Sequence, residues 1–166
     1  MDLLDLILSQ FQLYGLIFLL GSFSVATLSD LRRMSAQKEF LEVWLLFWLV
    51  FLGYDIYIGY TEGADLQIYL KWGLIGLFII SWFFKILFRT AIADAMACIA
   101  VMSLLTPPFI IFFILILKII DFLTRPFLKV GFGKKNYYPF LPAVTISTVI
   151  TLFVAFRVVD WIEMYL

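Results

Sequence analysis

Apolar runs separated by short charged interruptions organise this chain, and their lengths predict spans at 11–29, 41–60, 67–84, 91–106, 107–121 and 140–162. The expectation is an all-α, polytopic membrane fold of six transmembrane helices in a single membrane-embedded domain covering residues 1–166. One stretch reads two ways. From Thr90 to Leu117 the only charge is Asp94, so this segment is either one long kinked helix or two short helices turning at Thr106, Pro107 and Pro108.

The basic residues decide between the two. With two helices, Arg32, Arg33 and Lys38, then Lys85 and Arg89, then Lys118, Arg125, Lys129, Lys134 and Lys135 all fall on one side, leaving Lys71 and Arg157 opposite. The opposite side also collects Asp2, Asp5, Asp55, Glu62, Asp65, Asp160 and Glu163. A single long helix would put the most basic loop outside, against the positive-inside tendency. Two helices are therefore expected, with both termini outside, and each arm is short for a hydrocarbon layer of about 30 Å.

Composition agrees with burial in lipid. Of the 166 residues 64% are hydrophobic and 19% aromatic, and the mean hydropathy is +1.07; one soluble core cannot bury so much apolar surface. Twelve basic residues balance twelve acidic ones, so no net field attracts nucleic acid. The start, MDLLDLILSQFQLYG, has no Lys or Arg before Arg32, so it lacks the basic n-region of a cleaved signal peptide and is expected to stay as an anchor. The loop TRPFLKVGFGKKNYYP mixes basic, glycine and aromatic residues, which suits a segment lying on anionic lipid.

Histidine is absent, and Cys98 is the only cysteine. That excludes an internal disulfide and argues against zinc or iron–sulfur chemistry, so neither cofactor nor metal is expected. Ser22, Ser24 and Ser29 have no histidine to activate them. Carboxylates remain. Asp30 closes the first span and Asp94 opens the fourth on the same side, so they meet if those helices pack. Carboxylates at a hydrocarbon boundary are costly and by default raise a functional hypothesis. Two of them in contact share a proton, so one can activate water while the other polarises a carbonyl. A structural role is also open to each: Asp30 as the ion-pair partner of Arg32 or Arg33, Asp94 as a first-turn aspartate favoured by the helix dipole. Asp121 has Lys118 at i−3 and Arg125 at i+4, and is expected to form helical ion pairs. Glu39 and Glu42 are expected to be solvated at the start of the second helix.

The run FSVATLSDLRRMSAQKEFLEVWLL resembles the first block of the type IV prepilin and archaeal preflagellin (archaellin) peptidases. There an aspartate at the end of helix 1 is followed by basic residues and a new helix. The run TAIADAMACIAVMSLLTPP resembles their second, GxGD-type block, and YYPFLPAVTIS resembles the PF-rich segment that opens the last helix. Ala91 and Ala93 stand where glycines are usual, Met96 where a lysine is common, and Met34, Ser35 and Ala36 where Pro-Asn is usual. No region corresponds to the cytosolic methyltransferase part of bacterial members, so the likeness is to a divergent, archaeal-type, peptidase-only enzyme.

The resemblance implies a plasma-membrane aspartyl protease of the GxGD type, with Asp30 and Asp94 catalytic at the cytoplasmic side. Its partners would be the lipid bilayer and membrane-inserted archaellin or pilin-like precursors, from which it would remove short basic leader (class III signal) peptides. Two rival readings use the same aspartates: a proton- or cation-coupled transporter subunit, which would transport and not cleave, and a non-catalytic scaffold, which would need them only for assembly. The topology is testable by itself: in a Cys98→Ala background, Lys135→Cys should label only from the cytoplasmic side and Glu62→Cys only from outside. Labelling of both in intact cells by an impermeant maleimide would remove the six-span arrangement.

Overall fold

The computed structural model describes residues 8–33, 38–61, 63, 65–86, 90–131 and 139–165, with Arg32, Arg33 and 159–165 described as backbone alone. Among them are six helices: α1 Gln10–Arg33, α2 Lys38–Thr61, α3 Leu66–Phe83, α4 Ile92–Leu104, α5 Pro107–Gly131 and α6 Leu141–Tyr165. The fold is all-helical among the described residues. Five helices, all but α4, are long and apolar enough to cross a membrane. Large side chains such as Phe18, Leu46, Leu77, Ile111 and Phe153 are left exposed along them, an outer surface that suits hydrocarbon rather than water. Lys38 and Glu42 face each other at 3.7 Å, both well exposed at the start of α2, a pair worth little.

The segment that reads two ways is broken where the prolines stand. Leu105 is extended (φ −89°, ψ 151°), and α5 begins at Pro107, because proline suits the first helical turn and holds the residue before it out of the helical region. The two arms are unequal. At 13 residues, α4 is only about 20 Å long, as short as expected. The other arm, expected to end near residue 121, continues to Gly131 through Pro126. Phe122, Leu123, Pro126, Phe127 and Val130 are all exposed there, and Lys129 suits the negative end of the helix dipole. The first part of the supposed inner loop is thus helix. Its remainder, with Lys134 and Lys135, lies outside the described residues, as do Asp2, Asp5, Met34, Ser35, Ala36, Glu62 and Arg89, and the side chains of Asp160 and Glu163.

The short helix is the core. From Ala97 through Leu105 every residue of α4 and its C-cap is buried, and α1, α2, α3 and α6 all pack against it. Alanines at 93, 95, 97 and 100 let these neighbours come close. Around this centre α1 packs on α6, and α5 packs on α6 and α3. The α1–α2 contact is made by side chains: Phe18 stacks on Phe47 at 5.3 Å, Phe23 meets the Trp44 edge, and Trp44 Nε1 donates to Ser22 Oγ at 3.0 Å.

Gly15 sets the approach of α1 to α4. A Cβ placed there would stand 2.9 Å from Leu104 Cδ2 and 3.3 Å from Cδ1, inside contact distance. Alanine needs only a shift of a leucine methyl, but a β-branched side chain forces the helices apart. Gly15→Val should therefore cost about 1–3 kcal/mol and lower the thermal midpoint in detergent, while Gly21→Val, which meets nothing within 4 Å, should not. Equal midpoints would mean that α1 and α4 do not close on each other at Gly15.

Candidate active site

Three chain ends converge on the aspartates. Asp30 lies in the last turn of α1, Asp94 in the first turn of α4, and the first turn of α6 sits beside Asp30. The helix carrying Asp30 runs one turn farther than its predicted end, so the carboxylate projects from regular helix. Both aspartates are buried, at 7% and 8% exposure, and they lie within range of each other's charge. The helices that carry them, α1 and α4, pack on each other, as that expectation requires.

What stabilises two carboxylates there is main-chain N–H. Asp94 Oδ2 accepts the amide of Ala91 at 3.0 Å, the third residue of the helix reaching back to the cap. Ala91 has no side-chain acceptor to return the bond, so half of a capping box is formed. Asp30 Oδ2 accepts the amide of Leu141 at 3.4 Å, and the carboxylate takes the Phe140 amide as well. Leu141 opens α6 and Phe140 directly precedes it, so these donors belong to a helix N-terminus, where unpaired amides point outward. The sequence reason is local: Pro139 and Pro142 flank the pair, holding the entry extended and fitting the first turn.

The first-turn position favourable to Asp94 on dipole grounds and its place beside Asp30 are the same position. For Asp30 the described partners are the two α6 amides; the side chains of Arg32 and Arg33, its expected ion-pair partners, lie outside the described residues. Cys98, one turn beyond Asp94, is a free buried thiol in the core cluster, as a small packing residue should be. Asp121 is paired with Arg125 at i+4, the structural role expected of it, and it is buried at 1% exposure.

A second buried charge cluster escaped the sequence reading. Lys71 Nζ donates to Asp55 Oδ2 at 2.6 Å, Trp72 Nε1 donates to the same oxygen at 2.8 Å, and the ammonium also stands 5.5 Å from the Trp72 ring centroid. Counting charges by side places Asp55 and Lys71 on the same side without saying that they pair; both are buried, within α2 and α3. A signal existed: Asp55 lies six residues before the end of α2, about 9 Å inward, and Lys71 lies five residues into α3.

Compared with family models, with curated proteins and with solved structures, the chain matches none.

Removing one member of the Asp55–Lys71 pair strands the other charge. Lys71→Met should lower stability by about 3 kcal/mol, whereas adding Asp55→Leu to it should restore most of the loss. The check is the thermal midpoint of the two variants in one detergent. A double variant no more stable than Lys71→Met would show that the pair does not hold the helices.

Proposed function

We propose that this chain is a membrane aspartyl endopeptidase that removes short basic leader peptides from archaellin or type IV pilin-like precursors at the cytoplasmic face of the plasma membrane. The observation that carries the reading is that Asp30 and Asp94, 64 residues apart in sequence, are both buried on helices that pack on each other, each taking a main-chain amide at a helix start. The likeness of the segments around both aspartates to the two blocks of the prepilin and preflagellin peptidases supports it. So does the absence of histidine, which leaves a hydrolase here no triad of the serine–histidine kind.

The orientation in this proposal puts both termini outside, and the ends of α1, α3 and α5 with the starts of α2, α4 and α6 inside, as the basic residues require. The dyad then sits at the inner membrane boundary, where water can enter and the dielectric stays low. The substrate is a precursor whose apolar helix lies in the bilayer with its leader extending to the dyad. One aspartate, ionised, takes a proton from water as the water oxygen bonds to the scissile carbonyl carbon. The other, protonated, hydrogen-bonds the carbonyl oxygen, and the amine leaves with a proton as the C–N bond breaks. A helix bearing alanines at 91, 93 and 95 beside the dyad leaves room for an extended substrate backbone.

Three carboxylates compared in one assay test the proposal. Asp30→Asn and Asp94→Asn are nearly isosteric and should abolish cleavage of a co-expressed precursor, read as loss of the mobility shift, with expression near wild type. Asp121→Asn loses the ion pair with Arg125 but is relieved of a buried charge, and should still cleave. Cleavage should also follow a bell-shaped pH profile: on the acid side the base gains a proton, on the alkaline side the acid loses its own, and both limbs belong to the pair. Wild-type processing by either dyad variant would sink the dyad. Transport without cleavage would support the transporter reading, and failure of both variants to accumulate beside a normal Asp121→Asn would support a scaffold.

A further inference from the structure

Asp30 is tied to α6 by more than one bond. One turn before it on α1, Thr27 Oγ1 lies 2.8 Å from Thr145 Oγ1 of α6, and Thr145 Oγ1 donates to the Leu141 carbonyl at 2.9 Å. A threonine hydroxyl has a single proton, so with that of Thr145 given to Leu141, Thr27 is the donor between the two hydroxyls. The chain of bonds closes on itself: Thr27 to Thr145, Thr145 to the Leu141 carbonyl, and the Leu141 amide to Asp30. It links two residues one turn apart on α1 to two residues one turn apart on α6, which fixes both the height and the rotation of α6 against Asp30. Polar contacts of this kind between apolar helices have no water to compete with them.

The two aspartates are thereby made unequal. Asp30 receives two main-chain amides from the start of a 25-residue helix, while Asp94 receives one, from its own 13-residue helix. Fixed amide donors and the positive end of a helix favour a carboxylate over a carboxylic acid. Among the described residues, Asp94 stands near enough to Asp30 for their charges to interact, and two like charges so placed are relieved when one of them keeps the proton.

We propose that Thr27 and Thr145 are positioning residues that seat the first turn of α6 on Asp30, making Asp30 the ionised, water-activating member of the pair and leaving the proton on Asp94. The catalytic consequence rests on the peptidase reading; the position of the proton does not.

The test separates the two. Dicyclohexylcarbodiimide is apolar and reacts with protonated carboxyl groups within membranes, so the modified residue, located by mass spectrometry of the purified full chain, reports which aspartate holds the proton. Wild type should be modified at Asp94 and spared at Asp30. Thr27→Val and Thr145→Val, which keep the shape and remove the hydroxyl, should move a substantial share of the modification to Asp30, and Thr27→Ser and Thr145→Ser should restore the wild-type pattern. Where a precursor is cleaved, the valine variants should lower kcat about tenfold, as loss of one buried hydrogen bond allows, with KM unchanged. Should Thr145→Val fail to accumulate, Thr27→Val, which leaves α6 intact, gives the same reading. Modification of Asp30 in wild type, or a pattern that the valine variants leave unchanged, overturns the proposal even if cleavage is found. The expected shift in modification upholds it even if no precursor is cleaved, in which case the peptidase reading alone fails.

Discussion

A carboxylate sunk in an apolar helix bundle has to be met by fixed hydrogen-bond donors, and among the described residues the groups brought to Asp30 and Asp94 are main-chain amides at helix starts. This constraint orders the rest of the structure. It requires α6 to begin where α1 is about to end, and it requires α4 to begin at the same depth. Once α4 starts there, its short length and small side chains let four other helices close around it. The buried centre of the molecule and the candidate chemistry thus have one origin, the entry of a 13-residue helix beside a second carboxylate.

Helix starts solve an electrostatic problem that side-chain cations solve less well in hydrocarbon. A lysine or arginine brought to the dyad would itself have to be desolvated, and its charge would bind the carboxylates too strongly to leave one free to exchange a proton. Amides carry only partial charge and are already fixed by the helices they start. The contrast is visible within the chain, because Asp55 with Lys71 and Asp121 with Arg125 are full ion pairs, whereas the described partners of Asp30 and Asp94 are backbone amides. Charge cancelled by charge suits a helix clasp; charge met by dipoles suits a group that must change protonation.

Most of the architecture was legible from hydropathy. Six helices appear where six apolar runs stand, and α1, α2, α3 and α6 begin or end within a few residues of the expected limits, because span length is set by hydrocarbon thickness. The break between α4 and α5 was legible through Pro107 and Pro108. The continuation of α5 past Asp121 was not, since the apolar run ends there while the helix goes on through Pro126 to Gly131. The depth of Asp55 and Lys71 was hidden for a related reason: a charge near the end of a span can stand in water or turn inward to a partner, and only the neighbouring helix decides.

The sequence by itself determined an all-helical chain with enough apolar length for several membrane crossings, two aspartates at the same end of non-adjacent spans, and a chemistry without histidine or paired cysteines. Those properties follow from composition, span length and the order of charges, all of which are local. Only the tertiary structure decided that α1 and α4 pack on each other, that the start of α6 supplies an amide to Asp30, and that Asp55 and Lys71 neutralise each other inside the bundle. Each of these depends on the rotation of one helix about its axis relative to another, and that rotation is set by the fit of side chains such as Gly15 against Leu104, which no pattern along a single chain records.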